Sequence, residues 1–298
     1  MCSKYGTIFI VVLFTRIKSS IPSTNDVPYD IKPNRETGYL LEKSENGNLN
    51  PEEQGGYFEG DIMMDPLQSR EGLEGVKLWE GGVIPYVISP AFSFTGLTII
   101  HWAIRKFHQK TCIRFRPKTD EDVDYIFITN NKTGCWSHIG RMIGEQELNL
   151  QEPACLNWAR RGTAVHELMH ALGISHEHTR PDRDKYVQIL HNNIRENRIY
   201  NFNKNEHFIN QVMPYDFGSL MHYSMFAFGK KGNMLTIRPK MTKELIQRNT
   251  HNFEMGQRMR MSHYDVMRIN EVYCNSKRKG VVFSIWNALT NSMFPIHY

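Results

Sequence analysis

Long apolar runs are nearly missing from this 298-residue sequence. Only Ile8–Phe14 forms one, and it falls far short of the ~20 residues a membrane helix needs. No integral membrane segment is therefore expected. Also lacking is any Lys/Arg block with interleaved aromatics. The net charge of +5 is the difference between 36 basic and 31 acidic residues spread along the chain. That balance argues against nucleic acid as a partner and reads as a solvated surface. Cysteine is scarce, with five residues and no C-x-x-C spacing, which makes a cysteine-built zinc site unfavourable. No internal repeat is present.

What remains is informative. Lys4 precedes the apolar run, and small polar residues follow it. This is the pattern of a secretory signal over residues 1–20, cut near Ser20. An exported, extracellular chain would lose Cys2 and keep Cys112, Cys135, Cys155 and Cys274. That even number favours two disulfides, with three pairings open. Hydrophobic content of 40% suffices for one domain with extensions. Residues 21 to about 56, as in "EKSENGNLNPEEQGG", are too polar to fold alone and read as a linker or pro-segment. Phe58–Pro66 is a short apolar island after them.

From Val83 the pattern alternates, with Val83, Pro85 and Val87 marking a strand after Gly81-Gly82. Ile100, Ala103, Ile104 and Phe107 fall at helical spacing. "DYIFITN" and "GCWSHIGRM" read as strands, 163–173 as a helix stopped by Gly173, and "HYDVMRINEVYC" as another helix. The order predicts an α+β domain with a helix at its centre.

That central helix carries the chemistry. His166 and His170, four apart, present two imidazoles on one face. Glu167 projects beside them, where it reaches a water without taking a coordination position. Gly173 turns the chain and His176 returns a third nitrogen. Three nitrogens with one open position is the arrangement of catalytic zinc. The bland alternative, a packed helix, accounts for a bare H-E-x-x-H but poorly for five fixed positions including a turn glycine. Val165, Leu168, Met169 and Leu172 are left to anchor the helix. His178 is off the spacing and reads as surface or as a support outside the ligand set. Arg180–Asp184 alternates in sign like a salt-bridged loop rather than a calcium site.

"HELMHALGISHEHTRPDRDKYV" followed by "SLMHYSMFAFG" resembles the astacin family of metzincin zinc endopeptidases. "LWEGGVIPYVI", "TCIRF" and "GCWSHIGR" extend the likeness over about residues 58 to 274. The resemblance implies a zincin-like α+β fold: a twisted sheet and central zinc helix above a loop-rich lower lobe, with a cleft between. It implies one Zn2+ per chain held by His166, His170 and His176. Glu167 would act as general base and then acid on a zinc-activated water. Tyr223 would touch the metal at rest and stabilise the oxyanion during turnover, with Met221 as an apolar floor.

Further implications concern control. "FEGD" resembles the family's pro-segment switch, with Asp61 at the metal. The divisions would be a signal over 1–20, a propeptide over 21–70, a peptidase domain over 71–275 and a flexible tail over 276–298. An activating protease would cut near Arg70, and the new terminus at Glu71 would approach Glu177. The family pairing would be Cys112–Cys274 and Cys135–Cys155. "CWSHIGR" would be an edge strand receiving extended protein or peptide substrate. Trp136 fits that edge or the core equally. Asn131, in Asn-Lys-Thr, is a candidate glycan acceptor. Two rivals are a zinc-loaded binding protein, disfavoured by Glu167 and Tyr223, and an exopeptidase, which needs a pocket for a chain terminus.

Overall fold

The computed structural model describes residues 27–43, 49–64, 76–207, 213–240 and 254–275. The signal, Arg70, Glu71 and the tail after Asn275 lie outside them. Four α-helices occur among the described residues: α1 Arg35–Lys43, α2 Phe94–Lys110, α3 Gly162–Ala171 and α4 His263–Tyr273. Five strands form one sheet: β1 Val83–Ile88, β2 Arg114–Pro117, β3 Tyr125–Thr129, β4 Cys135–Ser137 and β5 Glu145–Leu150. Their order is β2-β1-β3-β5-β4. All neighbours run parallel except β4, which lies antiparallel to β5 and forms the edge.

The α2 reading holds: Ile100, Ala103, Ile104 and Phe107 are all buried in the main core. Ser93 caps this helix by accepting from the Gly96 amide at 3.1 Å. The strand read after Gly81-Gly82 is present as β1. Ile84 and Pro85 are buried, Tyr86, Val87 and Ile88 are half-buried, and Val83 is exposed. Gly81 and Gly82, both with positive φ (63° and 68°), make the turn that leads into the strand. "GCWSHIGRM" is also shorter than read, with only Cys135–Ser137 in a strand.

Below the sheet, 3₁₀ turns dominate, joined by a two-stranded sheet of β6 Val187–Ile189 and β7 Ile237–Pro239. A second apolar cluster including Phe202, Tyr215, Phe217, Tyr223 and Phe228 fills this loop-rich part. Both disulfides form as the resemblance implied, Cys112–Cys274 and Cys135–Cys155. The first ties the end of α2 to the end of α4.

Residues 27–43 and 49–64 fold by borrowing partners from the domain. The Tyr57 hydroxyl donates to Thr133 O at 2.7 Å, and Gln151 Nε2 donates to Gly38 O at 3.1 Å. Trp136 is buried against Tyr57 and Met63. The core reading of Trp136 is thus correct, and its strand is also the sheet edge.

Candidate metal centre

All ten residues of α3 are buried. Such a helix has no solvent face, so its polar side chains must find partners inside. It ends in a Schellman motif: Gly173, at φ 87°, donates to His170 O at 2.7 Å, and Ile174 donates to Met169 O at 3.0 Å. Trp79 Nε1 and the Tyr273 hydroxyl take the carbonyls of Ala171 and Leu172, each at 2.8 Å. The turn aims His176 back at the helix, as its spacing predicted.

The three imidazoles converge. His166 Nδ1 lies 2.8 Å from Leu220 O, and His170 Nδ1 lies 2.9 Å from Ile174 O. A carbonyl oxygen only accepts, so both Nδ1 atoms carry the proton and both Nε2 atoms present lone pairs. Those two Nε2 atoms are 3.1 Å apart. Asp61 Oδ2 lies 3.0 Å from His166 Nε2 and 3.3 Å from His176 Nε2, and Asp61 Oδ1 lies 3.5 Å from His170 Nε2. Lone pairs and a carboxylate this close repel unless a cation or protons lie among them. Tetrahedral zinc at 2.0–2.1 Å from each donor would set donor separations at about 3.3 Å. The four donors, all fully buried and within 4.8 Å of one another, fit one zinc ion.

The surroundings are equally specific. His176 Nδ1 is held by Glu59 Oε2 at 2.7 Å. Burial alone would push the His176 pKa down, but the Asp61 and Glu59 carboxylates lift it to about 9 before any ion binds. Burial lowers His166 to about 4. Glu167 is fully buried with neither oxygen hydrogen-bonded, and burial followed by the Asp61 charge raises its pKa well above the usual carboxylate value.

The Tyr223 hydroxyl donates to Glu59 O, so in this state it engages the N-terminal segment. Met221 is fully buried, and its carbonyl accepts from the Glu177 amide at 2.9 Å, tying the methionine turn to the third histidine. Glu177 pairs with Arg268 at 2.7 Å and Arg180 at 3.2 Å and accepts from the Asp216 amide at 2.9 Å. Two guanidinium groups therefore already stand where an incoming terminus was expected. Asn131 is exposed, and its amide donates to Glu147 at 2.6 Å.

Of the two readings of His178, surface or support outside the ligand set, the second holds. It is fully buried, not surface, stacked 3.7 Å from the Tyr223 ring with Nε2 2.9 Å from Asn201 O. Its place comes from an aromatic neighbour 45 residues away in sequence, which local pattern cannot show. Glu59, as partner of His176, was likewise invisible. The salt-bridged loop is present, with Arg180 to Asp182 at 2.9 Å and Arg183 to Asp184 at 3.3 Å.

The turn that delivers Asp61 explains "FEGD". Glu59 and Gly60 have φ of 49° and 90°, and the Gly60 amide donates to Tyr57 O at 3.0 Å. A Cβ on Gly60 would lie 2.7 Å from Phe228 and 2.9 Å from Glu52 O, so only glycine fits. Beyond it, Ser137 N donates to Asp61 O and Met63 N donates to Ser137 O, both at 2.9 Å. The segment thus pairs with the edge strand β4 in parallel.

An α+β domain with a three-histidine centre on a buried helix and a methionine turn beneath it defines a metzincin-type zinc domain. More particularly, the chain belongs to the astacin family: residues 73–274 match the peptidase family described as Astacin. It is 43% identical over 191 residues to high choriolytic enzyme 1 of Oryzias latipes, covering 64% of this chain and 66% of that one. It is 38% identical to zinc metalloproteinase nas-14 of Caenorhabditis elegans, covering 72% of this chain and 41% of the relative. The solved structure of the Oryzias latipes hatching enzyme is similar with a TM-score of 0.58 at 40% identity, covering 66% of this chain and 93% of that one. The chain therefore spans only 41% to 66% of the length of these two relatives.

Proposed function

We propose that this chain is the latent form of a secreted zinc endopeptidase that hydrolyses internal peptide bonds in proteins or peptides. The observation carrying the proposal is the buried meeting of three Nε2 lone pairs with an unpartnered Glu167 carboxylate. A fold that spends a desolvated acid there without a hydrogen bond is reserving it for a reaction. His166, His170 and His176 would hold the ion. Zinc, when bound, supplies polarisation of the scissile carbonyl and acidification of a water.

Glu167 would take the proton of the attacking water as its oxygen bonds to the scissile carbonyl carbon, and would return it to the amine nitrogen as the C–N bond breaks. The Tyr223 hydroxyl, freed from Glu59 O, donates where negative charge develops on the carbonyl oxygen. Met221 packs beneath, and β4 offers its backbone edge to extended substrate. Residues 21–70 act as the pro-segment: Asp61 would add a fourth donor to the three histidines that would hold the ion, while the backbone of Asp61 and Met63 covers the Ser137 edge. Support for latency is that the three histidines and Tyr223 are each engaged by Glu59 or Asp61. A cut near Arg70 by an activating protease would release them. The signal, the domain limits at 70 and 275, a glycan on Asn131 and the approach of a new terminus to Glu177 belong to the same reading.

An internally quenched peptide separates outcomes. Protein cut near Arg70 should cleave within the peptide, lose activity to chelator and regain it with zinc. Strictly terminal products, or zinc bound without cleavage, would overturn the assignment.

A further inference from the structure

We infer that the N-terminal segment holds the cleft through a second anchor that needs no metal, in which Glu52 and Glu53 clasp the buried guanidinium of Arg258. The inference rests on the pro-segment reading and deepens it.

The turn Glu52–Gln54 points both acids inward, leaving them 1% and 2% exposed. Glu52 Oε1 accepts from Arg258 Nε, and Glu53 Oε1 lies 3.6 Å from Arg258 Nη2. Glu53 also accepts from the Ser224 amide and from its hydroxyl, each at 2.6 Å. Asn50 Nδ2 bridges Glu53 Oε1 at 2.9 Å and Gly256 O at 3.0 Å. On the domain side, Arg258 is 3% exposed and donates to His222 O at 3.1 Å, and its own carbonyl accepts from the first amide of α3 at 2.8 Å.

Charges are removed from water here only because each has the other. Lifting the segment would take both carboxylates away from the guanidinium at once, and breaking a buried charge pair in this way is costly. The anchor contains none of the four metal donors. It grips Ser224, the residue after Tyr223, while Asp61 meets the three histidines and the Ser137 amide. Two grips on one segment act as a bivalent ligand: when one opens, the other keeps the segment at high local concentration. Freeing Asp61 from the centre therefore does not by itself empty the cleft.

Hydrogen exchange on the uncleaved full chain tests this after zinc is stripped with chelator, so that a metal contact of Asp61 cannot contribute. The probes are the amides of Gly60, Ile62 and Met63, which donate to Tyr57 O, Phe58 O and Ser137 O. Glu52→Gln/Glu53→Gln, nearly isosteric, should speed their exchange roughly 10- to 100-fold, and Ser224→Ala, which removes one hydroxyl, by several-fold. Amides of β3 should be unchanged. No acceleration in the double variant, or an equal acceleration in β3, overturns the anchor. Restoring zinc should slow exchange in every form that keeps Asp61. Indifference to zinc would refute the Asp61 switch while leaving the Arg258 anchor standing.

Discussion

Glu167→Gln should separate reaction from architecture. The wild-type carboxylate is fully buried, and neither oxygen has a hydrogen-bond partner. Leaving a polar group unsatisfied inside a protein costs about 1–3 kcal/mol, and more where the group is charged. The amide keeps shape and removes charge, so stability should hold or rise by about 1 kcal/mol. For a domain of this size that is a shift of about 2–4 °C in Tm. Metal content should not change, because Leu220 O and Ile174 O still fix the His166 and His170 rings. Loss of a positioned proton acceptor should meanwhile lower kcat by roughly 10²–10⁴. Quenched-peptide kinetics on the processed protein, a thermal melt and a zinc determination supply the readouts. Activity within about tenfold of wild type would remove Glu167 from proton transfer. A Tm loss of several degrees would show that the carboxylate supports the fold instead.

Asp61→Ala should give the uncleaved precursor measurable peptidase activity, and combining it with Glu52→Gln/Glu53→Gln should give more; silence in both would argue against the Asp61 switch. Asp216 offers a pH test, since burial and then the Asp265 charge raise its pKa to about 7 from the ordinary 3.8. Between those values the folded chain binds more protons than the unfolded one, so this group adds stability as pH falls from 7 toward 4. Asp216→Asn should flatten that part of the profile in denaturant titrations, and an unchanged slope would contradict it. Replacing Cys112 and Cys274 by serine opens a link between residues 162 apart. On the chain-entropy model this should cost about 5 kcal/mol, against about 3 for Cys135–Cys155; equal losses measured by chemical denaturation would count against that model here.

The zinc helix was legible because its signal is local: a four-residue spacing and a glycine that ends the helix fix where three side chains point. The α2 and α4 helices were read for the same reason. The strand β5 was not, because Glu145, Gln146, Glu147 and Asn149 look like a solvated loop. Their polarity is used by distant partners instead. Asn149 Nδ2 donates to Gly134 O at 2.6 Å, and Gln146 Nε2 donates to Gly140 O at 2.9 Å. The N-terminal segment hid its structure in a similar way. Glu52 and Glu53 stand in a run whose composition predicts solvation, and their partner Arg258 is about 200 residues away. The burial of His178 was likewise set by contacts remote in sequence.

X-ray absorption at the zinc edge tests the centre most directly. The processed protein should bind one zinc per chain through three imidazole nitrogens at about 2.0–2.1 Å. The precursor should show an added carboxylate oxygen that Asp61→Ala removes. A sulfur donor, fewer than three imidazoles, or full zinc binding after His170→Ala would contradict the account.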